Sequence, residues 1–112
     1  MQIPDTPFRF VYVTAPSKDV ALAIGRSVVG ARLAACANVL DGMTSVYWWD
    51  QKLNEDREAV LILKTRVDKM NELTQAIKAA HPYECPCIVA LPIADGNPDY
   101  LTWLQQETTN QP

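Results

Sequence analysis

Residues 8–14 and 58–65 are rich in β-branched, aromatic and aliphatic side chains, and residues 59–63 are apolar without interruption. A strand with one face in water alternates apolar and polar residues, so continuous apolar runs predict strands that are covered on both faces. Any sheet built around these two strands therefore needs a cover on each side. This requirement constrains the possible folds more than any other feature of the chain.

Two amphipathic helices are predicted between the strands. The first follows Ser17, a candidate N-cap, and its apolar residues recur at helical spacing to about residue 33. The second follows Asp68, another candidate cap. It stops before Pro82, because proline disfavours the helical conformation of the residue that precedes it.

The predicted strands are residues 8–14, 35–49, 58–65 and 88–93. Asp41-Gly42 predicts a bulge in the second strand, and residues 50–56 predict a polar turn. Pro92 places the end of the fourth strand at an edge of the sheet or beyond the pairing. Asn97-Pro98 predicts the start of a short third helix. Its inward-facing residues are predicted to be Tyr100, Leu101 and Leu104.

The order β-α-β-β-α-β followed by a helix predicts an α+β, ferredoxin-like sandwich in which two helices cover one face of a four-stranded antiparallel sheet. The other face would stay bare in a monomer, so we expect self-association to cover it. A chain of 112 residues suits one domain, residues 1–112, and we expect residues 1–6 and 108–112 to be flexible ends.

The charge balance of 10 Lys plus Arg against 13 Asp plus Glu, with no basic run, argues against nucleic acid as a partner. No apolar stretch approaches the ~18 residues that span a membrane, and residues 1–7 lack the pattern of a signal peptide. Cys85 and Cys87 are poorly placed to bridge each other. These features predict a cytoplasmic protein with reduced thiols and no membrane partner.

Residues 81–87 hold the only histidine of the chain, a glutamate and two cysteines, and such side chains are potential metal ligands. The alternative is that Pro82 and Pro86 shape a helix-to-strand connection in which Cys85 and Cys87 are small buried residues. An enzyme is not expected, because the sequence has no phosphate-binding glycine loop and no nucleophile with a paired base.

Trp48 and Trp49 must point to opposite faces of their strand. One of them is expected to meet another subunit or to line a cleft, unless the two simply anchor the two faces of the hairpin. Lys64 near the end of the third strand is either a solvated charge or a contact for an anion.

Several motifs, in order along the chain, resemble those of the CutA divalent-cation-tolerance proteins. The matching segments are Thr14-Ala15-Pro16, Leu33 to Asn38, Ser45 to Trp49, Leu63-Lys64-Thr65, His81 to Glu84 with Pro86, and Asp99 to Leu104. The resemblance implies a ferredoxin-like fold assembled as a homotrimer like the P-II proteins. It also implies tolerance of divalent metals, binding of copper and possible binding of other divalent cations, and no enzymatic reaction.

The resemblance also implies where a site lies. The family's pocket corresponds here to Tyr47, Trp49, Lys64, His81, Tyr83 and Trp103, with Cys36 at a further family position. His81 is the implied copper ligand, and Glu84 and Cys87 complete the predicted metal set. The other residues of the pocket are expected to line a cleft between subunits.

Three positions depart from the family pattern. Val13 stands where some members have a cysteine associated with copper, and Gln51 stands where the hairpin commonly has glycine. Cys87 replaces a common acidic residue, which either softens the site toward Cu(I) or Zn(II) or places a small thiol in a packed strand.

The leading functional prediction is thus a homotrimer that binds metal ions, with copper foremost. The alternative is a P-II-like signalling trimer that holds a small anionic ligand or a partner protein in its intersubunit clefts, with Lys64 supplying the charge. A purely structural or partner-anchoring trimer is the third possibility.

Overall fold

The computed structural model describes residues 5–109. The elements of this part of the chain are β1 (Phe8–Ala15), α1 (Lys18–Gly30), β2 (Cys36–Trp49), β3 (Lys52–Arg66), α2 (Met70–Ala80), β4 (Ile88–Pro92) and α3 (Pro98–Glu107). One 3-10 turn, Val67–Lys69, leads into α2. The outer parts of the predicted flexible ends, residues 1–4 and 110–112, lie outside the described residues.

The strands form one antiparallel sheet in the order β2-β3-β1-β4. Helices α1 and α2 pack on one face, where a continuous apolar core joins Val11 and Leu61 of the sheet to Ile24 and Ile77 of the helices. Helix α3 packs separately, through Leu104, against Phe8 and Ala35. The predicted α+β fold with a four-stranded antiparallel sheet is confirmed.

The first helix begins as predicted but ends earlier. The Ser17 hydroxyl accepts the N–H of Val20 at 3.2 Å. Helix α1 stops at Gly30, because Arg32 turns into the left-handed region with φ 64° and the Leu33 N–H returns to the Val28 carbonyl at 2.9 Å.

A close contact fixes the position of α1 on the sheet. A Cβ at Gly25 would lie 3.0 Å from the Cβ of Ala37. Glycine therefore allows the helix to approach β2 more closely than any other residue would.

The hairpin of β2 and β3 is longer than predicted. Residues 50–56 do not form a polar turn, since pairing continues to Trp49 and Lys52 and only Asp50 and Gln51 make the turn. The prediction was wrong because this part of the hairpin extends past the core and has polar residues on both faces, so the apolar alternation of a strand is missing. The bulge at Asp41-Gly42 is confirmed by the break in register between Leu40 and Met43.

The predicted cap of α2 was also wrong. Asp68 lies inside the 3-10 turn, where its carboxylate is 3.5 Å from Arg66 Nε, and no side chain caps the helix. The end of α2 is as predicted, because His81, which precedes Pro82, is extended.

Among the described residues strand β4 pairs only with β1, and Pro92 at its end lies opposite Arg9. Of the two predicted positions for this strand end, the edge of the sheet is therefore confirmed. The predicted N-terminus of α3 is confirmed by Asn97, whose side chain accepts the N–H of Asp99 at 3.1 Å. Leu104 is buried as predicted, whereas Tyr100 is 37 % exposed. Thr108, where the sequence predicts the start of a flexible tail, is buried and donates its hydroxyl to the Leu104 carbonyl.

Apolar side chains remain exposed on two surfaces. Strand alternation places Val89 and Leu91 on the sheet face opposite α1 and α2. It places Val46, Trp48 and Leu53 together on one side of the hairpin. Within residues 5–109 no helix is long and apolar enough to cross a membrane.

Candidate functional site

A cavity of about 780 Å³ opens on the sheet face that α1 and α2 leave free, between the hairpin and the loop that follows α2. Two segments supply most of its wall, residues 43–47 of β2 and residues 82–87 of the loop. The lining residues of the loop are Pro82, Tyr83, Glu84, Cys85 and Cys87.

Glu58 lines this cavity and is only 6 % exposed. Ala59 and Leu61 of the same strand face the helices. Successive side chains of a strand point to opposite faces, so Glu58 faces the side that the helices leave free. There it accepts the hydroxyl of Tyr83 at 2.7 Å. A buried carboxylate thus forms part of the cavity floor.

Two phenols around Glu58 stay protonated. Burial, followed by the hydrogen bond to Glu58, raises the pKa of Tyr83 far above its ordinary value. The Tyr47 hydroxyl donates to Asp56, and this hydrogen bond raises the pKa of Tyr47 as well. Both side chains therefore act as neutral hydrogen-bond donors at physiological pH.

His81 is 8 % exposed and both of its ring nitrogens are bonded to backbone. Nε2 lies 2.7 Å from the Thr14 carbonyl oxygen, and Nδ1 accepts the Tyr83 N–H at 3.1 Å. A carbonyl oxygen only accepts, so Nε2 carries the proton and the ring is neutral. Neither nitrogen offers a free lone pair to a metal in this arrangement.

Glu84, Cys85 and Cys87 all line the cavity, and both thiols are free and exposed. The alternative that the two cysteines are buried packing residues is therefore wrong. Partial burial of the Cys87 thiol in the cavity wall, with the Glu58 carboxylate as the smaller cause, raises the pKa of Cys87. This side chain is thus a neutral thiol at physiological pH until something displaces its proton.

The residues predicted for the cleft fall into two groups. Tyr47, Trp49 and Tyr83 line the cavity. Lys64 and Trp103 belong to a second group around Tyr100, whose hydroxyl is 3.2 Å from Lys64 Nζ and whose ring lies 5.5 Å from that of Trp103.

Cys36 joins this second group, with its Sγ 3.6 Å from the Tyr100 hydroxyl. Burial and the contact with Cys36 raise the pKa of Tyr100, although Lys64 acts in the opposite direction. One chain therefore presents a negatively charged cavity and, apart from it, a cluster with one positive charge.

Sequence reasoning missed three residues of these sites, Glu58, Met43 and Tyr100. Glu58 could have been found from the sequence. It begins an apolar strand, and its even position places it on the face opposite the core residues at odd positions. The Met43 Sδ accepts the Tyr12 hydroxyl at 3.4 Å. The bulge just before Met43 changes the alternation of the strand, so the sequence does not indicate on which face of the sheet the Met43 side chain lies.

The donor set of one chain does not form a finished metal site. Among the described residues no three His, Cys, Asp or Glu side chains converge on a point that would hold an ion. The cavity nevertheless combines two carboxylates, two thiols and the Met43 thioether with no lysine, arginine or histidine in its wall. Its charge favours cations over anions.

The fold and this cavity define a class, that of small α+β sandwich proteins with a cation-attracting pocket beside a long hairpin. The family model described as CutA1 divalent ion tolerance protein matches residues 9–107. The chain belongs to this family.

Individual relatives agree with this assignment. The chain is 47% identical over 98 residues to the divalent-cation tolerance protein CutA of Thermus thermophilus, covering 88% of this chain and 95% of that one. It is 44% identical to Protein CutA 1, chloroplastic, of Oryza sativa over 91% of its own length, but spans only 58% of that relative.

A solved structure shows the same fold. The periplasmic divalent cation tolerance protein CutA of Archaeoglobus fulgidus has a TM-score of 0.88 and 36% identity to this chain, covering 91% of this chain and 99% of that one.

Proposed function

We propose that this protein is a cytoplasmic homotrimer that binds metal ions, with copper foremost, and contributes to metal tolerance. The observation that carries the proposal is the cavity wall, in which thiols, a thioether and carboxylates stand together without a basic side chain. Thiol and thioether sulfur favour Cu(I), and carboxylate oxygen adds affinity for divalent ions. The free thiols support a reducing compartment.

The proposed ligands are Cys87, Glu84 and His81. Cys87 and Glu84 already line the cavity, whereas His81 would have to give up its bond to Thr14 or to the Tyr83 amide. Because no three such ligands come together within residues 5–109, we propose that a neighbouring copy or a movement of residues 82–87 completes the site.

The exposed apolar surfaces support a trimer. Val89 and Leu91 on the sheet and Trp48 on the hairpin are more than half exposed in one chain. Large apolar patches of this kind are usually covered by a partner, and self-association requires no second gene product.

Native mass spectrometry of the reduced, metal-free protein during copper titration tests this proposal. We expect a trimer that takes up one copper per chain. Cys87→Ser and Glu84→Gln should each lower the affinity at least about tenfold, or ~1.4 kcal/mol. Since the raised pKa of Cys87 means that copper must displace a proton, the affinity should increase as the pH rises.

Cys36→Ser is the matched control, because Cys36 is a free thiol outside the cavity. It should bind copper like the unmodified chain. A trimer that stays free of copper, or equal affinity in the Cys87 and Glu84 variants, would contradict the proposed site.

The alternative proposal is a P-II-like signalling trimer that holds an anion or a partner protein. It is supported by the Lys64 ammonium beside Tyr100 and Trp103, a charge and two aromatic rings that suit an anionic ligand. Lys64→Gln separates the two functions, since it should leave copper uptake intact and abolish the binding of an anion.

A further inference from the structure

Two aspartates of this chain are followed directly by glycine, Asp41-Gly42 in the bulge of β2 and Asp95-Gly96 between β4 and α3. In both pairs the aspartate carboxylate accepts the N–H of the glycine that follows it, with 2.8 Å between Oδ1 and the nitrogen. Aspartate commonly makes such local contacts with the backbone. Here the contact places the carboxyl carbon, which is one bond from Oδ1, beside the nitrogen of the next peptide.

This arrangement allows a reaction within the chain. The backbone nitrogen attacks the carbon of the protonated carboxyl group, a new N–C bond forms, and the carboxyl O–H leaves as water together with the proton of the N–H. The product is a five-membered cyclic imide. Water then opens the ring at one of its two carbonyls, which either restores aspartate or leaves the backbone running through the side-chain carbon as isoaspartate. The change is covalent and consumes no oxidant, metal or cofactor.

The two sites differ in the freedom of their backbone. Leu40 and Met43, on either side of Asp41-Gly42, are both paired with β3. Asp95 and Gly96 are exposed and lie in neither a helix nor a strand, and within the described residues the Gly96 N–H donates to no backbone carbonyl. Closing the ring requires rotation of the aspartate backbone, and an exposed connection permits this rotation whereas a paired hairpin resists it.

We propose that Asp95 is a site of spontaneous isomerisation to isoaspartate, and that the hairpin protects Asp41 although it has the same neighbour and the same contact. Glycine at the next position favours the reaction, because it has no side chain to hinder the approach of its nitrogen. The isomerised chain carries a free α-carboxyl group at this position. It is therefore a substrate for carboxyl methyltransferases that recognise isoaspartate and use S-adenosylmethionine.

The modification affects helix α3, which begins just after the site. The side chain of Asn97 caps this helix. Isoaspartate at position 95 adds one carbon to the backbone ahead of Asn97, so the cap and the first turn of the helix must shift. Tyr100 lies in this turn and its hydroxyl is 3.2 Å from Lys64 Nζ. Isomerisation of Asp95 thus disturbs the cluster around Tyr100.

Ageing of the reduced, metal-free protein in warm, mildly acidic buffer tests the inference, because the protonated carboxyl group is the reactive form. Trypsin cleaves after lysine and arginine and places the two sites in separate peptides, residues 33–52 and 79–112. Mass spectrometry with electron-transfer fragmentation identifies isoaspartate at each position, and an unaged sample digested in parallel measures what digestion itself produces. We expect isoaspartate to accumulate several-fold faster at Asp95 than at Asp41, and at similar rates when the protein is aged unfolded in guanidinium chloride.

Gly96→Ala is the variant that should block the reaction. Gly96 has no positive φ, and the nearest atoms to an added Cβ belong to Leu101 at 3.7 Å, so alanine fits without strain. Its methyl group hinders ring closure and should lower the isoaspartate at Asp95 several-fold. Gly30→Ala is the matched control, because a Cβ there meets nothing within 4 Å, and it should age like the unmodified chain. Circular dichroism verifies that both variants are folded.

The indole N–H signal of Trp103 reports on the disturbance of α3, because the Trp103 ring lies 5.5 Å from that of Tyr100. In NMR of the isomerised fraction, separated by chromatography, this signal should move. The Trp48 signal, on the hairpin, should keep its position. An unmoved Trp103 signal would contradict the expected effect on α3.

Three results would overturn the inference: aspartate alone at position 95 after ageing, equal rates at Asp95 and Asp41 in the folded protein, or unaltered isomerisation in Gly96→Ala. Unequal rates in guanidinium chloride would contradict the protection of Asp41 by the hairpin. Copper is absent from all of these measurements, so their results are independent of the metal proposal.

Discussion

At the scale of single residues, His81 connects two parts of the backbone. Its ring joins the carbonyl of Thr14, near the end of β1, to the amide of Tyr83 in the loop that follows α2. Tyr83 in turn donates to Glu58 on β3. A residue that sequence reasoning assigns to metal binding therefore also has a structural role, which is to hold the loop against the sheet.

His81→Ala should destabilise the metal-free protein by about 2–3 kcal/mol, because it removes two partly buried hydrogen bonds and leaves the Thr14 carbonyl without its side-chain partner. Denaturant unfolding with EDTA present, at one fixed protein concentration, measures the change. His81→Gln, which can keep one polar contact, should lose less. Equal stability of all three proteins would show that the ring bonds contribute little.

At the scale of elements, the hairpin turn adopts a conformation that its sequence does not favour. Asp50 and Gln51 have φ values of 52° and 60°, and glycine or asparagine is preferred in such two-residue turns. Gln51 therefore has a less favourable backbone conformation than glycine would have at this position. The turn forms because the strands on either side pair up to Trp49 and Lys52.

Gln51→Gly should stabilise the hairpin by about 0.5–1 kcal/mol, since glycine adopts a positive φ without steric strain. Thermal unfolding monitors the change as an increase in Tm. Gln51→Ala is the control, because alanine keeps the strain and removes only the amide group. A decrease in Tm for the glycine variant would indicate that the Gln51 side chain makes a stabilising contact.

Strand and helix order could be predicted from this sequence because the core residues of β1, β3, α1 and α2 keep the periodicity of their elements. The outer part of the hairpin could not be predicted, since residues 52–57 are mostly exposed on both faces and do not alternate between apolar and polar side chains. For the site, strand alternation predicts that Tyr47 and Trp49, which are two residues apart, lie on the same face of the hairpin. The sequence does not reveal that the loop of residues 82–87 comes to rest beside them, or that Lys64 and Trp103 lie elsewhere.

At the scale of the whole molecule, exposed apolar side chains lie on two separate surfaces. Val46, Trp48 and Leu53 form one patch on the hairpin, and Val89 and Leu91 belong to another on the sheet. Two patches on one chain allow each copy to contact two neighbours. Such an arrangement suits a closed ring better than a simple pair.

Trp48→Lys should convert the proposed trimer to monomers, because Trp48 is 72 % exposed and a buried lysine would lack a partner at the interface. Size-exclusion chromatography with light scattering reports the mass. Val67→Lys, which changes an exposed apolar residue in the 3-10 turn, should remain a trimer. An unaltered mass for Trp48→Lys would place the interface away from the hairpin.

The position of β1 inside the sheet also affects the order in which the chain can fold during synthesis. β1 is made before the other strands, yet it pairs with β3 on one side and with β4, which ends at Pro92, on the other. The β2–β3 hairpin needs only residues that are neighbours along the chain. A ribosome therefore releases a hairpin that can close at once, while the strand made first must wait for both of its partners.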